Sequence, residues 1–301
     1  MFLPQLLVLL IAFSSQASAI PWLYDAHDEN VNQRRQQSST NGSWLLSKDS
    51  LGSGVDRLAL FSSMKGSQGV LFGGMATFDV YGLQNFNTQA SYSYMCVANH
   101  QGDDYSTENV VAAGWMVSPT SYVDSETHFY TLWTADGYKS GGCYNLDCDG
   151  FVPVQNAPIT PGDTLDLAKG KLNITIKIFK NKVDGDWWLY FGYNNHKLTA
   201  VGYWPKSIFT NMVDHANLIQ WGGYTFSETG VASPAMGNGH WPGIDSASVR
   251  DVRFVDDSGS GYKIDPWPGG LGASISHKES YGATISGDEM FYYGGPGGCT
   301  K

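Results

Sequence analysis

The sequence predicts an all-β protein, an antiparallel two-sheet β-sandwich with one short helix. Three observations carry that reading. Several stretches alternate their side chains with a period of two, the pattern of a strand with one buried face. Gly and Pro punctuate the gaps between them as turn residues. Charged residues make up only 15% of the chain, while aromatics reach 14% and glycines number 36. That balance favours aromatic strands joined by tight turns over amphipathic helices.

The elements follow in order. Ala90 to Val97 reads Ala-Ser-Tyr-Ser-Tyr-Met-Cys-Val, large against small. Thr127 to Thr134 alternates in the same way. Leu172 to Lys180 places Leu172, Ile174, Ile176 and Ile178 on one face. Its partner is Trp187 to Phe191, and Val183-Asp-Gly-Asp between them has the Asp-Gly signature of a hairpin turn. Trp187 and Trp188 are neighbours, so on a strand one faces the core and the other a surface or groove. Pro205 to Ala216 sets Ile208, Phe209, Met212, Val213 and Ala216 on one stripe, which predicts the helix.

Ahead of these strands the chain changes character. Residues 1–19 carry no charge, hold a leucine-rich core and end in Ala17-Ser18-Ala19, the pattern of a secretory signal peptide. Residues 20–65 read as a pro-segment or polar lead-in, with a dibasic step at Arg34-Arg35 where a processing protease would cut. The sandwich domain is expected over 66–301. No later stretch is apolar enough to span a bilayer, so no membrane partner is expected. A net charge of −10 argues against nucleic acid and anionic lipid as partners. The expected product is a secreted, extracellular monomer.

Four cysteines in a secreted chain suggest two disulfides, and four allow three pairings. Cys143 and Cys148 suit a small closed loop, which leaves Cys96 with Cys299 to pin the C-terminus to an early strand. Neither a zinc spacing nor a cofactor fingerprint appears, so no metal and no cofactor are expected. Asn41 and Asn173 each begin an Asn-x-Ser/Thr glycosylation acceptor.

For chemistry, the exclusions come first. There is no Gly-x-Ser-x-Gly elbow and no His-Glu-x-x-His. The cysteines are assigned to disulfides, which removes a thiol nucleophile. Acids and aromatics remain. Two carboxylates sharing a site can hold one protonated and one ionised, and such a site works in acid. Glycosidases and glutamic peptidases both use glutamates in this way.

Separate blocks in collinear order then resemble the neprosin family. They are Ala113-Gly-Trp-Met-Val-Ser-Pro, Tyr130-Thr-Leu-Trp-Thr-Ala-Asp-Gly-Tyr, Gly142-Cys-Tyr-Asn-Leu-Asp-Cys-Asp-Gly-Phe-Val, Asp186-Trp-Trp-Leu, Val201-Gly-Tyr-Trp-Pro-Lys-Ser-Ile-Phe, Trp221-Gly-Gly, Ala235-Met-Gly-Asn-Gly-His and Phe291-Tyr-Tyr-Gly-Gly-Pro-Gly. The resemblance implies a two-sheet sandwich, an N-terminal pro-segment and a secreted endopeptidase that cleaves next to proline with two glutamates. It also places those glutamates before Ala-Gly-Trp and after Trp-Gly-Gly. Here those positions are Ala112 and Tyr224.

Three readings follow from the departure. The first is loss of hydrolysis, with the sandwich kept to bind a peptide or glycan. The second moves the dyad to Glu108 and Glu228, each an even step from the position it replaces, so that the two oppose each other if Ala112 faces Tyr224. The third pairs Gln220, polarising a carbonyl, with a glutamate that activates water. The leading expectation is a glutamic endopeptidase acting on proline-containing peptides in acid with a displaced dyad. The alternative is an inactive peptide or glycan binder, and a glycosidase is a distant third. Trp115, Trp133, Trp188, Trp221 and Tyr224 are the candidate walls of the cleft.

Overall fold

A computed structural model describes residues 54–63, 69–101, 104–138, 142–165, 167–168, 172–194 and 197–300. The signal peptide, the dibasic step and Asn41 lie outside the described residues. In chain order the strands are β1 (Gly54–Ser63), β2 (Gly73–Val80), β3 (Gln89–Gln101), β4 (Asp104–Val117), β5 (His128–Thr134), β6 (Cys143–Tyr144), β7 (Val152–Pro153) and β8 (Leu172–Lys180). They continue with β9 (Trp187–Tyr193), β10 (Thr199–Trp204), β11 (Leu218–Glu228), β12 (Ala247–Val255), β13 (Gly261–Lys263), β14 (Leu271–Ile275), β15 (Gly282–Ile285) and β16 (Phe291–Gly294).

Two antiparallel sheets result. The seven-stranded sheet runs β14-β1-β11-β3-β4-β5-β6, and the nine-stranded sheet runs β15-β16-β12-β2-β8-β9-β10-β7, with β13 on β12. The expected sandwich is therefore present. Its core lies between the sheets and is filled by alternate side chains, among them Met95, Val97, Val111, Trp115 and Trp221 from one sheet and Phe78, Ile174, Ile176 and Ile178 from the other. The expected hairpin joins β8 to β9 through a turn in which the Gly185 N–H donates to the Asn181 carbonyl at 2.7 Å.

Two expectations are corrected. The sandwich begins at Gly54 rather than at residue 66, because Leu58, Ala59, Leu60 and Phe61 make β1 an apolar strand between β14 and β11. Among the described residues the α-helix lies elsewhere. It is α1 (Pro119–Tyr122), started by a Ser118 cap and Pro119 and ended by Val123 at φ 60°. Pro205 to Ala216 forms only a 3₁₀ turn over Lys206–Ile208.

The reason is Asn109. Its buried Oδ1 accepts from the N–H groups of Thr210, Asn211 and Met212 at 2.8, 2.7 and 3.2 Å. Those are donors that a helix would have spent on its own carbonyls. The apolar stripe is still partly buried, since Phe209, Met212 and Ala216 enter the core. Burial thus follows the spacing, but the backbone satisfies its donors by another route.

Candidate functional site

The second face of the seven-stranded sheet points away from the core, and alternation decides what stands on it. Even-numbered residues of β1, β3, β4, β5 and β11 face outward and form a separate apolar cluster with Leu58, Tyr92, Tyr94, Cys96, Ala112, Tyr130, Leu132 and Tyr224. Cross-strand pairing arranges them in rows. One row reads Ser62, Gln220, Cys96, Ala112, Leu132 and Tyr144. The next reads Leu60, Gly222, Tyr94, Gly114 and Tyr130. The third reads Leu58, Tyr224, Tyr92, Met116 and His128.

Glycine flanks Tyr94 on both sides. A Cβ on Gly114 would stand 2.0 Å from the Ser93 carbonyl oxygen, and one on Gly222 2.5 Å from that of Ala59. Strand backbones therefore approach closely here, and Tyr94 stands between two glycines in its row. Tyr92 meets Tyr130 and Tyr224 edge to face, with centroids 5.6 and 5.1 Å apart. The result is a floor of tyrosine rings. Tyr224 donates its hydroxyl hydrogen bond to the Asp56 carboxylate. Gln220 donates from Nε2 to the Ser62 hydroxyl at 3.2 Å.

Glu108 lies on the same face beyond Val110 and Ala112. Desolvation pushes its carboxyl up to about 8, so it stays protonated through the acid range. Burial also pushes up the thiol of Cys96, with the Glu108 charge adding to the effect, and pushes up the phenols of Tyr94, Tyr130 and Tyr138. The centre of the face is therefore neutral in acid, with weak donors and few acceptors.

The pairing corrects the proposed dyad. β11 does not pair with β4, because β3 lies between them. Ala112 shares its row with Gln220, not with Tyr224. Glu108 follows the Asn99–Asn109 pair at one end of β3, and Glu228 follows the Gln89–Ser227 pair at the other. At about 3.3 Å per residue the two are roughly 40 Å apart along the strand. They share a face but cannot share a substrate bond. Gln220 and Glu108 are closer, two strands across and four residues along, on the order of 16 Å between Cα atoms.

The tryptophan walls are corrected by the same parity. Trp115, Trp133 and Trp221 carry odd numbers on β4, β5 and β11 and point inward. Trp115 donates to the Asp79 carbonyl at 2.9 Å, Trp133 packs edge-on against Phe209, and Trp221 packs against Phe254. Trp188 is on the outer face of the other sheet, stacked on Tyr203. Its neighbour Trp187 is fully buried, as adjacent positions on a strand require. Of the five proposed wall residues only Tyr224 stands on the floor. Tyr92, Tyr94, Tyr130 and Asp56 were missed, although the Ser-Tyr-Ser-Tyr alternation of β3 was the available signal.

Cys143 and Cys148 are bonded to each other. The Cys96–Cys299 pairing is not present, and both thiols are free. Cys96 faces outward from β3. Cys299 lies by contrast beside Ser233, with Sγ 3.1 Å from its hydroxyl, and offers its carbonyl to the inward-facing Arg57. A bridge would have to pass through the sheet. Asn173 is half-buried near the start of β8 on the outer face of the nine-stranded sheet. Among the described residues no group of three or more His, Cys, Asp or Glu is placed to hold a metal ion, and no helix is long and apolar enough to cross a membrane.

A two-sheet antiparallel sandwich with its candidate site on one outer sheet face defines the class. The sequence matches the Neprosin family model over residues 87–296, and the chain belongs to that family. The fold is also similar to the crystal structure of Scytalido-glutamic peptidase with a peptide-based transition-state analogue, at 10% identity and TM-score 0.39, covering 79% of this chain and 96% of that one. A second similar structure is the marine PL-14 alginate lyase from Aplysia kurodai, at 15% identity and TM-score 0.28, covering 62% and 77%. At these TM-scores neither likeness bears on function.

Proposed function

We propose that this protein is a secreted member of the Neprosin family that holds proline-containing peptide segments on the tyrosine floor of its seven-stranded sheet without hydrolysing them. The observation that carries the reading is the pair Ala112 and Tyr224 at the two positions where the family resemblance places glutamates. Peptide hydrolysis needs an ionised base and a group that polarises the carbonyl, both within reach of one bond. Alanine transfers no proton, and a tyrosine titrating near 10 is no base in acid. Tyrosine rings suit the flat, rigid face of a prolyl residue, and a proline-rich segment gives up little entropy on binding.

The rings of Tyr92, Tyr94, Tyr130 and Tyr224 are at most 3% exposed, so a ligand reaches them only when their cover is displaced. The test compares the full chain with protein trimmed after Arg35 of the dibasic step. Calorimetric titration with a proline-containing peptide should show saturable binding, weakened about tenfold or more by Tyr224→Ala. Equal affinity for a proline-free peptide of the same length and charge would remove the reading.

One observation favours a second reading. Glu108 keeps a proton to about pH 8 on the same face as Gln220. In that reading the protein is a slow acid endopeptidase in which Glu108 donates a proton to the leaving amine, Gln220 polarises the carbonyl, and water attacks without a general base. Loss of cleavage in Glu108→Gln would mark it.

A further inference from the structure

His128 opens β5 at the end of the row that carries Met116, Tyr92 and Tyr224. The residue is 5% exposed. It stacks on Tyr122 of α1, with centroids 3.7 Å apart and planes 4° from parallel. Nδ1 stands 2.8 Å from the Gly162 carbonyl oxygen, and Nε2 stands 2.9 Å from an Asp124 carboxylate oxygen.

Both partners only accept hydrogen bonds. A neutral imidazole has one N–H and one lone pair, so it satisfies one partner and sets its lone pair against the other. The imidazolium donates to both. A cation against the face of a tyrosine ring is favourable as well.

The ring adds a side-chain tie across pieces whose backbones meet only in part: the 160–164 loop is already bonded to β5 through Phe129 N–H to the Asp163 carbonyl at 2.9 Å and Gly162 N–H to the Phe129 carbonyl at 2.8 Å. Tyr122 belongs to α1, Asp124 to the link into β5, and Gly162 to a loop that also bridges to His128 through Thr164. The far side of the stack is anchored too. The Tyr122 hydroxyl accepts from Asn145 Nδ2 at 3.0 Å, Asn145 Oδ1 accepts from the Thr131 N–H at 3.0 Å, and Asn145 sits inside the Cys143–Cys148 loop.

The charged and titratable groups around the stack are acids and phenols. Asp124 and Glu126 come from the α1–β5 link, where the Glu126 N–H donates to Asp124. Asp163 comes from the loop and turns its carboxylate to the Thr160 N–H. Tyr144 and Asp147 come from the disulfide loop and act on Tyr122. β4 contributes Met116, which does not titrate.

We propose that His128 is an acid-strengthened latch, tightening the hold of α1 and the 160–164 loop on β5 when its ring is charged and slackening it when the ring is neutral. The site at which it acts is the rim of the tyrosine floor, at the end of the Tyr92–Tyr224 row. The proposal does not depend on whether that floor binds or cleaves.

Hydrogen exchange with mass spectrometry or NMR tests it, at about pH 5 and about pH 8, on either side of the ordinary histidine range. The reporters are the amides of Tyr122, Val123, Phe129, Gly162 and Leu165, which donate within and between α1, the link, the loop and β5. Their protection factors should be about tenfold higher at the lower pH, the worth of one charge-assisted hydrogen bond. Amides of β8 and β9 should not change. His128→Gln and Asp124→Asn, examined separately so that one folded variant suffices, should flatten the difference. Equal protection of the reporters at both pH values in the natural protein would overturn the latch. So would an undiminished difference in a folded variant.

Discussion

Gln220 and Ala112 stand on either side of Cys96, each one strand away, on the outer face of the seven-stranded sheet. The amide of Gln220 thus looks across a buried, neutral thiol toward a methyl group. At a site for acid hydrolysis that position would hold a carboxyl. Tyr224, at the other position that the family resemblance assigns to a glutamate, instead donates to Asp56 on the next strand. In the proposed reading the face keeps its shape and lacks a carboxyl at both of these positions.

If that loss is local, it is reversible. Ala112→Glu combined with Tyr224→Glu is expected to raise cleavage of a proline-containing peptide in acid by at least about a hundredfold over the natural protein, the lower range of general acid–base catalysis. Chromatography of the digest at acid pH measures it. A folded double variant with no gain would show that more than these two side chains has changed.

Glu108 links the floor to stability. Unfolded, a glutamate loses its proton near 4.3, whereas folded Glu108 holds its proton to about 8. The folded state therefore binds more protons across that window. Its stabilising contribution is complete below the unfolded value and is lost as pH rises through the folded one. Glu108→Gln stays neutral throughout. The Tm of the natural protein should fall, relative to that of Glu108→Gln, between about pH 4 and about pH 8. Parallel Tm curves for the two proteins would refute the assignment.

Asn109 is a buried polar hub away from the floor. Besides the three N–H groups bound at Oδ1, its Nδ2 donates to the Ala135 carbonyl at 2.8 Å and to Thr210 Oγ1 at 3.1 Å. Asn109→Ala removes the acceptor for three backbone donors, and the cost should be about 3 kcal/mol or more. Urea denaturation measures it. A loss below about 1 kcal/mol would mean that water replaces the side chain without penalty.

The sequence made the sandwich, the β8–β9 hairpin and the Cys143–Cys148 loop legible, because alternation, an Asp-Gly turn and a short spacing are local signals. Which strand lies beside which is not local. β3 lies between β11 and β4, and its register carries Glu108 and Glu228 to opposite ends of the sheet; no pattern within either strand records it. Parity was legible and went unused for the tryptophans, since Trp115 and Trp221 differ by an odd step from Ala112 and Tyr224. The 205–216 segment misled for a different reason. Its stripe of apolar residues is real, but Asn109, far away in sequence, takes the backbone donors that a helix needs.

The central claim is that the floor has lost hydrolysis and kept recognition. The most direct test is to incubate protein trimmed after Arg35 with a proline-rich peptide between about pH 2 and about pH 5, the range of carboxylate titration, and to follow the peptide by mass spectrometry alongside a binding titration. The expected result is saturable binding with an intact peptide. Cleavage next to proline by the natural protein, abolished by Glu108→Gln, would contradict it.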